Sequence, residues 1–573
     1  MCGIAGAIFG REDADSRRVG PVVEAMTAAL AHRGPDGSGL VVEQAAGSIA
    51  GLGHRRLAII DLSDRGAQPM ASARQPVWIT FNGEVYNFGA LRAELEAAGR
   101  RFASQSDTEV VLQGYEAWGA AVVDRLQGMF AFAIYDGRDG SLLLARDRLG
   151  IKPLYTFRTA QGLLFASEIR GLLASGLVPR RVDRDALDQY LAYQTVPTPR
   201  TLVAGVRLLS PGHVVTVEAR GRVTERRYWD LLGSAKRADA SIGQAEADAR
   251  VRALLADSVA GHLISDVPVG IFLSGGIDST ALVAEAHALG HRLSTFSVVM
   301  PGTAEDEGTY ARLVADRFGC DHHEIVLTES ELRARVPEAL DGVDHPTGDG
   351  INTFVVSRAV RAAGIKVALS GLGGDELFGG YPSFRRLRRL RAYGRIWGQS
   401  PALLRRSAAA AVRSIGGLTV ATEKAAAVLE SDGSWVQTFP VLRQVFGPRE
   451  RAALLAEPPS GTAEDGYVPL LWDARVRHPD RDLMAFVSFA EARTYMHDVL
   501  LRDSDQMSMA HGLELRVPLL DHPLVEYVMG LPERVKLPGE TPKRLLVESL
   551  GDLMPEAIVR RPKRGFVLPF ETW

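Results

Sequence analysis

Three clusters in this sequence carry reactive or anion-binding chemistry. The first is Cys2, followed by Gly-Ile. Once Met1 is removed, this residue carries both a thiol and a free α-amino group. An α-amine titrates near about 7.7–8.0, so it can take the thiol proton at neutral pH, and such an N-terminal nucleophile needs no histidine partner. Taken alone, the same cysteine reads equally well as a small apolar residue opening a buried strand. The second cluster is VGIFLSGGIDST (269–280), an apolar strand, a glycine loop and then a helix. The backbone N–H groups of such a loop, with the positive end of the helix, form a concave anion site. It lacks the GKS or GKT of a Walker A loop. The third cluster, KVALSGLGGDELFGGYPSF (366–384), sets Ser370-Gly371 and the acidic pair Asp375-Glu376 after another strand.

Four further segments accompany Cys2. His32-Arg33-Gly34-Pro35-Asp36 is a rigid turn after a helical stretch, and GHRRLAIID (53–61) leads into a buried strand. Asn82-Gly83-Glu84 follows the strand VWITF, and Ser106-Asp107-Thr108-Glu109 opens a helix with capping residues. In this order, with Cys2, they resemble the class II glutamine amidotransferase domain over roughly residues 1–205. The resemblance implies an α+β N-terminal nucleophile fold (αββα), two stacked sheets between helices. It also implies roles. Cys2 attacks the side-chain amide of glutamine, giving a thioester and ammonia. The Asn82 amide and the Gly83 N–H form the oxyanion hole, with glycine permitting close backbone approach. The Arg56 guanidinium clamps the glutamine α-carboxylate. Asp107 and the Glu84 region hold the α-ammonium, and Ile59 and Ile60 complete the pocket.

SGGIDS at a strand-to-helix turn is similar to the signature of ATP pyrophosphatases, which adenylate a substrate and release pyrophosphate. That likeness implies that Ser274, Gly275, Gly276 and Ser279 cradle ATP, and that Leu273 and Val298 line the adenine pocket. It implies that Ser370 and Gly371 face the adenylate, and that Asp278 and Asp375 hold Mg²⁺ on the pyrophosphate. Two late lysines are cationic candidates, Lys543 in TPKRLL and Lys563 in RRPKRGF; the resemblance puts Lys563 at the α-phosphate as a catalytic group. DSDQMSMAHGLELRVPLLDH (503–522) reads as scaffold around the nucleotide. Across nearly the whole chain the pattern resembles the B-type, glutamine-hydrolysing asparagine synthetases. This implies ATP and Mg²⁺ as cofactors and glutamine, ATP and a carboxylate as small-molecule partners, with a homodimer as one allowed assembly.

Two departures bear on the acceptor. The loop reads SGLGGDE, so Leu372 stands where those enzymes often carry a glutamate, and DHPTGDGINTF (344–354) is only broadly alike. Both leave adenylation intact. L-aspartate is the default acceptor; another carboxylic acid, from secondary metabolism or the cell envelope, is the alternative. A catalytically silent nucleotide or glutamine sensor would show decay of Cys2, Asn82, Asp278 and Asp375, all of which are in place. A phosphoribosyl-transferring amidotransferase would lack SGGIDS, and a tRNA-modifying pyrophosphatase would not need Cys2, Asn82 and Asp107. The chain stops at GFVLPFETW, where the resembling enzymes usually continue.

These residues need elements to hold them. GIAGAIF (3–9), VWITF (77–81), FAFAIYD (130–136) and SLLLARD (141–147) read as strands, with turn signals at Asp136-Gly137 and Asp139-Gly140. VVEAMTAALAHR and ALRAELEAAG have helical periodicity. The polar stretch 233–248 marks a change of grammar. Beyond it, VPVGIFLS, RLSTFSVVM, DHHEIVL and KVALSG alternate with helical patterns, as a parallel α/β sheet requires. From about residue 381 the chain reads as helical. The divisions that follow are a glutaminase domain at 1–212, a linker at 213–245 and an α/β ATP-pyrophosphatase domain with a helical C-terminal part at 246–573.

Composition narrows the setting. A hydrophobic fraction of 46% and a charged fraction of 24% are those of an ordinary globular chain. Two cysteines exclude a disulfide framework and favour the reducing cytoplasm. MCGIAGAIFG lacks the basic region of a secretory signal. Nine arginines fall within 384–413, but a net charge of −3 favours a solvated helical face, so neither nucleic acid nor membrane is expected as a partner.

Overall fold

The computed structural model describes residues 2–10, 16–239, 241–303, 306–417, 419–455, 466–537, 541–561 and 568. Two six-stranded antiparallel sheets stack in the first half. One runs in the order Val206–Leu208, Tyr155–Arg158, Gly162–Ala166, Gly3–Gly10, Ser48–Arg56, Gly37–Ala45. The other runs Val223–Arg227, His213–Val217, Ser141–Arg146, Gly128–Asp136, Val77–Val85, Met70–Ala71. Alternation along Gly3–Gly10 shows why they stack. Ile4 and Ile8 join Ala131, Tyr135, Leu142 and Leu144 of the facing sheet, whereas Ala5, Ala7 and Phe9 turn to Val19, Val23 and Met26 of the helix Ser16–Ala28. On the far side Phe81 and Ile79 pack against Val110 and Val111 of the helix Asp107–Trp118. The layers are helix, sheet, sheet, helix. Gly6 is required in this packing, because a Cβ there would sit 2.4 Å from the Phe165 ring and 2.5 Å from the Gly51 carbonyl oxygen.

Residues 213–227 depart from the linker read from the sequence. His213–Val217 pairs with Ser141–Arg146, and Val223–Arg227 closes the edge, so this segment completes the second sheet. Val223–Arg227, short, charged and largely exposed, has linker composition, whereas His213–Val217 is mostly buried and is held by pairing on both sides.

The second half is built on five parallel strands in the order Asp321–Val326, Ser294–Val299, Val269–Phe272, Val367–Leu369, Glu514–Arg516. The chain steps outward from the central strand Val269–Phe272 and then returns on its other side, at Val367–Leu369. The order therefore reverses between those two strands, the place where open α/β sheets bind ligands at the strands' carboxyl ends. Helices cover this sheet and take up most of the described residues between 382 and 509, including a wide π-helical stretch, Ala492–Leu501, that runs into the helix Arg502–Met509. Among the described residues no helix is long and apolar enough to cross a membrane.

Candidate active sites

Cys2 precedes the first strand, and its backbone N–H donates to Asn82 Oδ1 at 2.9 Å. Asn82 lies on the other sheet, so one bond joins the two layers at the site. Asn82 is fully buried and its Nδ2 has no partner among the described residues. A buried amide donor in that state is costly unless a ligand oxygen accepts from it. Beside it, a Cβ on Gly83 would fall 2.2 Å from the Met129 carbonyl oxygen and 2.7 Å from Phe130 Cα, so no other residue fits. Burial pushes the Cys2 thiol above its ordinary value; attack requires a base to take its proton.

The charged residues read as glutamine ligands each have present partners. Arg56 donates to the carbonyls of Asp61 and Ser63, the latter at 2.9 Å, which holds the guanidinium over its own loop. Ile59 in that loop is buried and Ile60 half-buried. Asp107 Oδ2 accepts from the Val85 N–H at 3.0 Å, and burial pushes its carboxyl up to about 6. Glu84 faces the other half of the chain, 3.1 Å from Arg516 Nη2, and burial raises its carboxyl well above the usual range.

The carboxyl ends of the parallel strands open on a cavity of about 400 Å³. Its wall brings together Leu273, Ser274, Gly276, Asp278, Ser279, Val298, Ser370, Gly371 and Asp375, all read from the sequence as nucleotide or metal ligands. Gly275 makes the turn behind them at φ +65, where a Cβ would meet Tyr310 Cβ at 2.6 Å. The Ser279 hydroxyl accepts from the Ser274 N–H at 3.3 Å, fixing the loop on the start of the helix Ile277–Ala288. Arg561, itself part of the cavity lining, donates to the carbonyls of Ser274 and Gly275, at 3.1 and 2.8 Å, and braces the loop.

Among the described residues two cations line this cavity, Lys543 and Arg561, and Arg561 is paired with Glu307. Lys543 Nζ pairs with Asp375 at 2.6 Å and also with Asp278. Burial works against its charge, but the two carboxylates more than offset this and raise it above the ordinary lysine value. Lys563, the lysine favoured by the resemblance, lies outside the described residues.

Leu372 lines the wall together with Asp349, Glu376 and Asp503. Glu376 accepts from the Tyr381 hydroxyl at 2.8 Å, and burial with neighbouring Asp375 pushes it up to about 8. Asp503 accepts from Thr347 at 2.5 Å and Gln506 at 2.9 Å; burial and Asp349 push it up to about 7. The sequence reads Asp503 only as scaffold. Its spacing carried a signal: on the helix Arg502–Met509, residues 503 and 505 point to different sides.

That helix separates two spaces. Asp503 and Ser504 face the nucleotide cavity, while Arg502, Asp505 and Gln506 line a small cavity of about 20 Å³ shared with Ser167 and Glu168 of the first half. Arg33 spans the gap. It donates to the Cys2 carbonyl at 3.2 Å, to Glu168 at 2.7 Å and to both oxygens of Asp505 at 2.8 and 3.2 Å, and it is fully buried. In the sequence Arg33 is only one residue of a rigid turn; its partner lies 472 positions away.

Comparison with known proteins agrees with both halves. Residues 1–229 match a glutamine amidotransferase domain family, and residues 250–573 match the asparagine synthase family. The asparagine synthetase [glutamine-hydrolyzing] 1 of Bacillus subtilis is 33% identical over 578 residues, covering 100% of this chain and 88% of that protein. A putative asparagine synthetase [glutamine-hydrolyzing] of Mycobacterium bovis is 35% identical over 600 residues, with 100% and 88% covered. A protein of Gibberella zeae named amidase chry2 is 30% identical over 621 residues, with 100% and 90% covered. At this identity and coverage, the chain belongs to the glutamine-hydrolysing asparagine synthetase family.

Proposed function

We propose that this enzyme makes an amide from glutamine, ATP and a carboxylic acid, with L-aspartate as the leading acceptor and L-asparagine as its product. The observation that carries the reading is the helix Arg502–Met509, which faces the nucleotide cavity on one side and, through Asp505 and Arg33, is tied to the Cys2 carbonyl on the other.

In this account the Cys2 thiolate attacks the glutamine amide. Asn82 Nδ2 donates to the oxyanion as it forms, and Arg56 turns from its loop carbonyls to the substrate carboxylate. Hydrolysis of the thioester returns glutamate and frees Cys2. In the other half, the acceptor carboxylate attacks the α-phosphorus of ATP, releasing pyrophosphate and forming an acyl-adenylate. Ammonia then displaces AMP, giving the amide. Lys543, moving off its aspartates, meets the phosphate charge that grows in this sequence.

Asp278 and Asp375 fit a Mg²⁺ ion. They converge closely enough to share one ammonium, and paired carboxylates beside nucleotide phosphates are the hard-oxygen donors that Mg²⁺ prefers. When bound, the ion neutralises charge on the pyrophosphate leaving group. We assign the glutaminase to residues up to 229 and the synthetase to the rest.

The acceptor end needs a group to take a proton from the attacking nitrogen. Leu372 has none, and Asp503, Asp349 and Glu376 border the same space. Another acid remains the second reading, favoured by the apolar surface that Leu372 contributes. The test is a panel of carboxylates assayed for ATP-dependent pyrophosphate release, with amide products identified by mass spectrometry. Aspartate as the strongest substrate supports the first reading, and ADP with phosphate as products rejects adenylation.

A further inference from the structure

Residues 377–422 hold nine arginines and no Asp, Glu or Lys, in a chain whose net charge is −3. Sequence alone makes this a solvated face; the structure adds what lies among the arginines. On the helix Pro382–Trp397, Arg385, Arg389, Tyr393 and Ile396 recur at i, i+4, i+8 and i+11, one outward stripe, while Phe384 and Leu387 are buried on the inner side. Tyr393 is 73% exposed and Ile396 78%, so the stripe is basic at its start and apolar at its end.

The next helix, Ala402–Gly416, continues the pattern. The turn into it is held by Arg405, which donates to the carbonyls of Gly398 and Ser400 at 3.0 Å each. It opens with Leu403, 76% exposed, and Leu404, and closes with Ile415, 88% exposed. The exposed positions between are Arg406, Ser407, Ala410, Ala411 and Ser414, so a single charge lies among small and apolar groups. Its inner side is anchored, with Arg413 paired to Glu423 and Glu430. Single exposed leucines are ordinary. Two successive helices that both turn large apolar side chains outward beside arginine are not.

We propose that these two helices dock the enzyme on an anionic lipid surface. Arginine guanidinium groups bind headgroup phosphates, and Tyr393, Ile396, Leu403, Leu404 and Ile415 enter the boundary with the acyl chains. Charge selects this occupant. Arg388 reaches Glu533, but among the described residues Arg385, Arg386, Arg389, Arg391 and Arg406 form no ion pair. A second copy meeting the same patch across a two-fold axis would set arginine against arginine with no acid in either segment. A nucleic acid would use the arginines but has no need of exposed Ile and Leu. The first of these helices starts one residue after Tyr381, which lines the nucleotide cavity, so the docking surface continues directly from the wall of the synthetase site.

The full-length protein is sedimented with vesicles of phosphatidylcholine alone and of phosphatidylcholine with an equal part of phosphatidylglycerol, in about 0.1 M salt. Binding to the anionic vesicles should exceed binding to the neutral ones by about tenfold or more. The double variants Ile396→Glu/Leu403→Glu and Arg385→Glu/Arg389→Glu should each lose about tenfold, with glutaminase activity unchanged. If the first variant loses glutaminase activity, Leu403→Ser/Ile415→Ser reads the same step. Equal binding to both vesicles overturns the proposal, as does binding that survives loss of the apolar residues. Absence of vesicle binding overturns it too, whether the surface then proves to bind RNA, an acidic protein or a second copy.

Discussion

Lys543 and Asp375 meet in an ion pair 2.6 Å long, and Asp278 closes on the same ammonium from the first turn of the helix Ile277–Ala288. The pair joins the two loops that open on the nucleotide cavity, and it sets a cation where phosphate charge must be met. Replacing Lys543 with Met leaves two carboxylates facing one another and removes that cation. Ammonia-dependent pyrophosphate release should fall by about 100-fold or more, while glutamine hydrolysis stays within about twofold. Full synthesis in Lys543→Met, with loss in Lys563→Met instead, would move the catalytic role to Lys563.

Arg33 links the halves through buried charge. In Arg33→Met the buried carboxylate of Asp505 loses the guanidinium it pairs with, while Glu168 keeps His32 and Arg170; the cost should be about 3–5 kcal/mol in unfolding free energy, read by denaturant titration. Glutamate formed per amide should rise, because the tie between the Cys2 carbonyl and the synthetase helix is cut. Unchanged stability and an unchanged ratio would make Arg33 a bystander.

The carboxyl of Glu376 gives a pH signature. Its folded value of about 8 lies above the ordinary glutamate value of 4.5, so the folded state holds the proton more tightly. The stabilisation this provides is complete below the ordinary value and is lost as pH rises toward 8. The wild-type melting temperature should therefore fall as pH climbs from about 5 to 8, and Glu376→Gln, which keeps the shape without a titrating proton, should fall less. Parallel profiles would show that Glu376 is charged throughout.

Much of both sites was legible because their chemistry is local. SGGIDS and SGLGGDE each lie on one strand-to-helix turn, so spacing alone groups Leu273 to Ser279 and Ser370 to Asp375, and the cavity gathers nearly all of them. Cys2 and Asn82 were legible from motif order. Contacts between distant segments were not. Nothing near Lys543 in sequence says that it folds between Asp278 and Asp375, 265 positions away in the first case. Nothing near Glu84 announces Arg516. The edge strand Val223–Arg227 was missed because an exposed, charged strand has the composition of a linker, and the buried strand His213–Val217 beside it was missed with it.

At the acceptor end, Leu372→Glu tests what chooses the acid. Added to a wall that already carries Asp349, Glu376 and Asp503, a fourth carboxyl should raise aspartate-dependent pyrophosphate release relative to less polar acids by about tenfold, if position 372 sets specificity. Strong wild-type activity on aspartate that the substitution leaves unchanged would assign the choice to the other three.

In the proposed reaction, nitrogen freed at Cys2 reaches the adenylated carboxylate within one chain. This is tested by supplying glutamine labelled with ¹⁵N in its side-chain amide, together with ATP, the acceptor acid and an excess of unlabelled ammonium at a pH where free ammonia is scarce. The product should carry ¹⁵N well above the label in the bulk ammonium pool, with one AMP and one pyrophosphate per amide, and the product of a Cys2→Ala enzyme should carry none. Product label equal to that of the bulk pool in the wild-type enzyme would contradict this transfer.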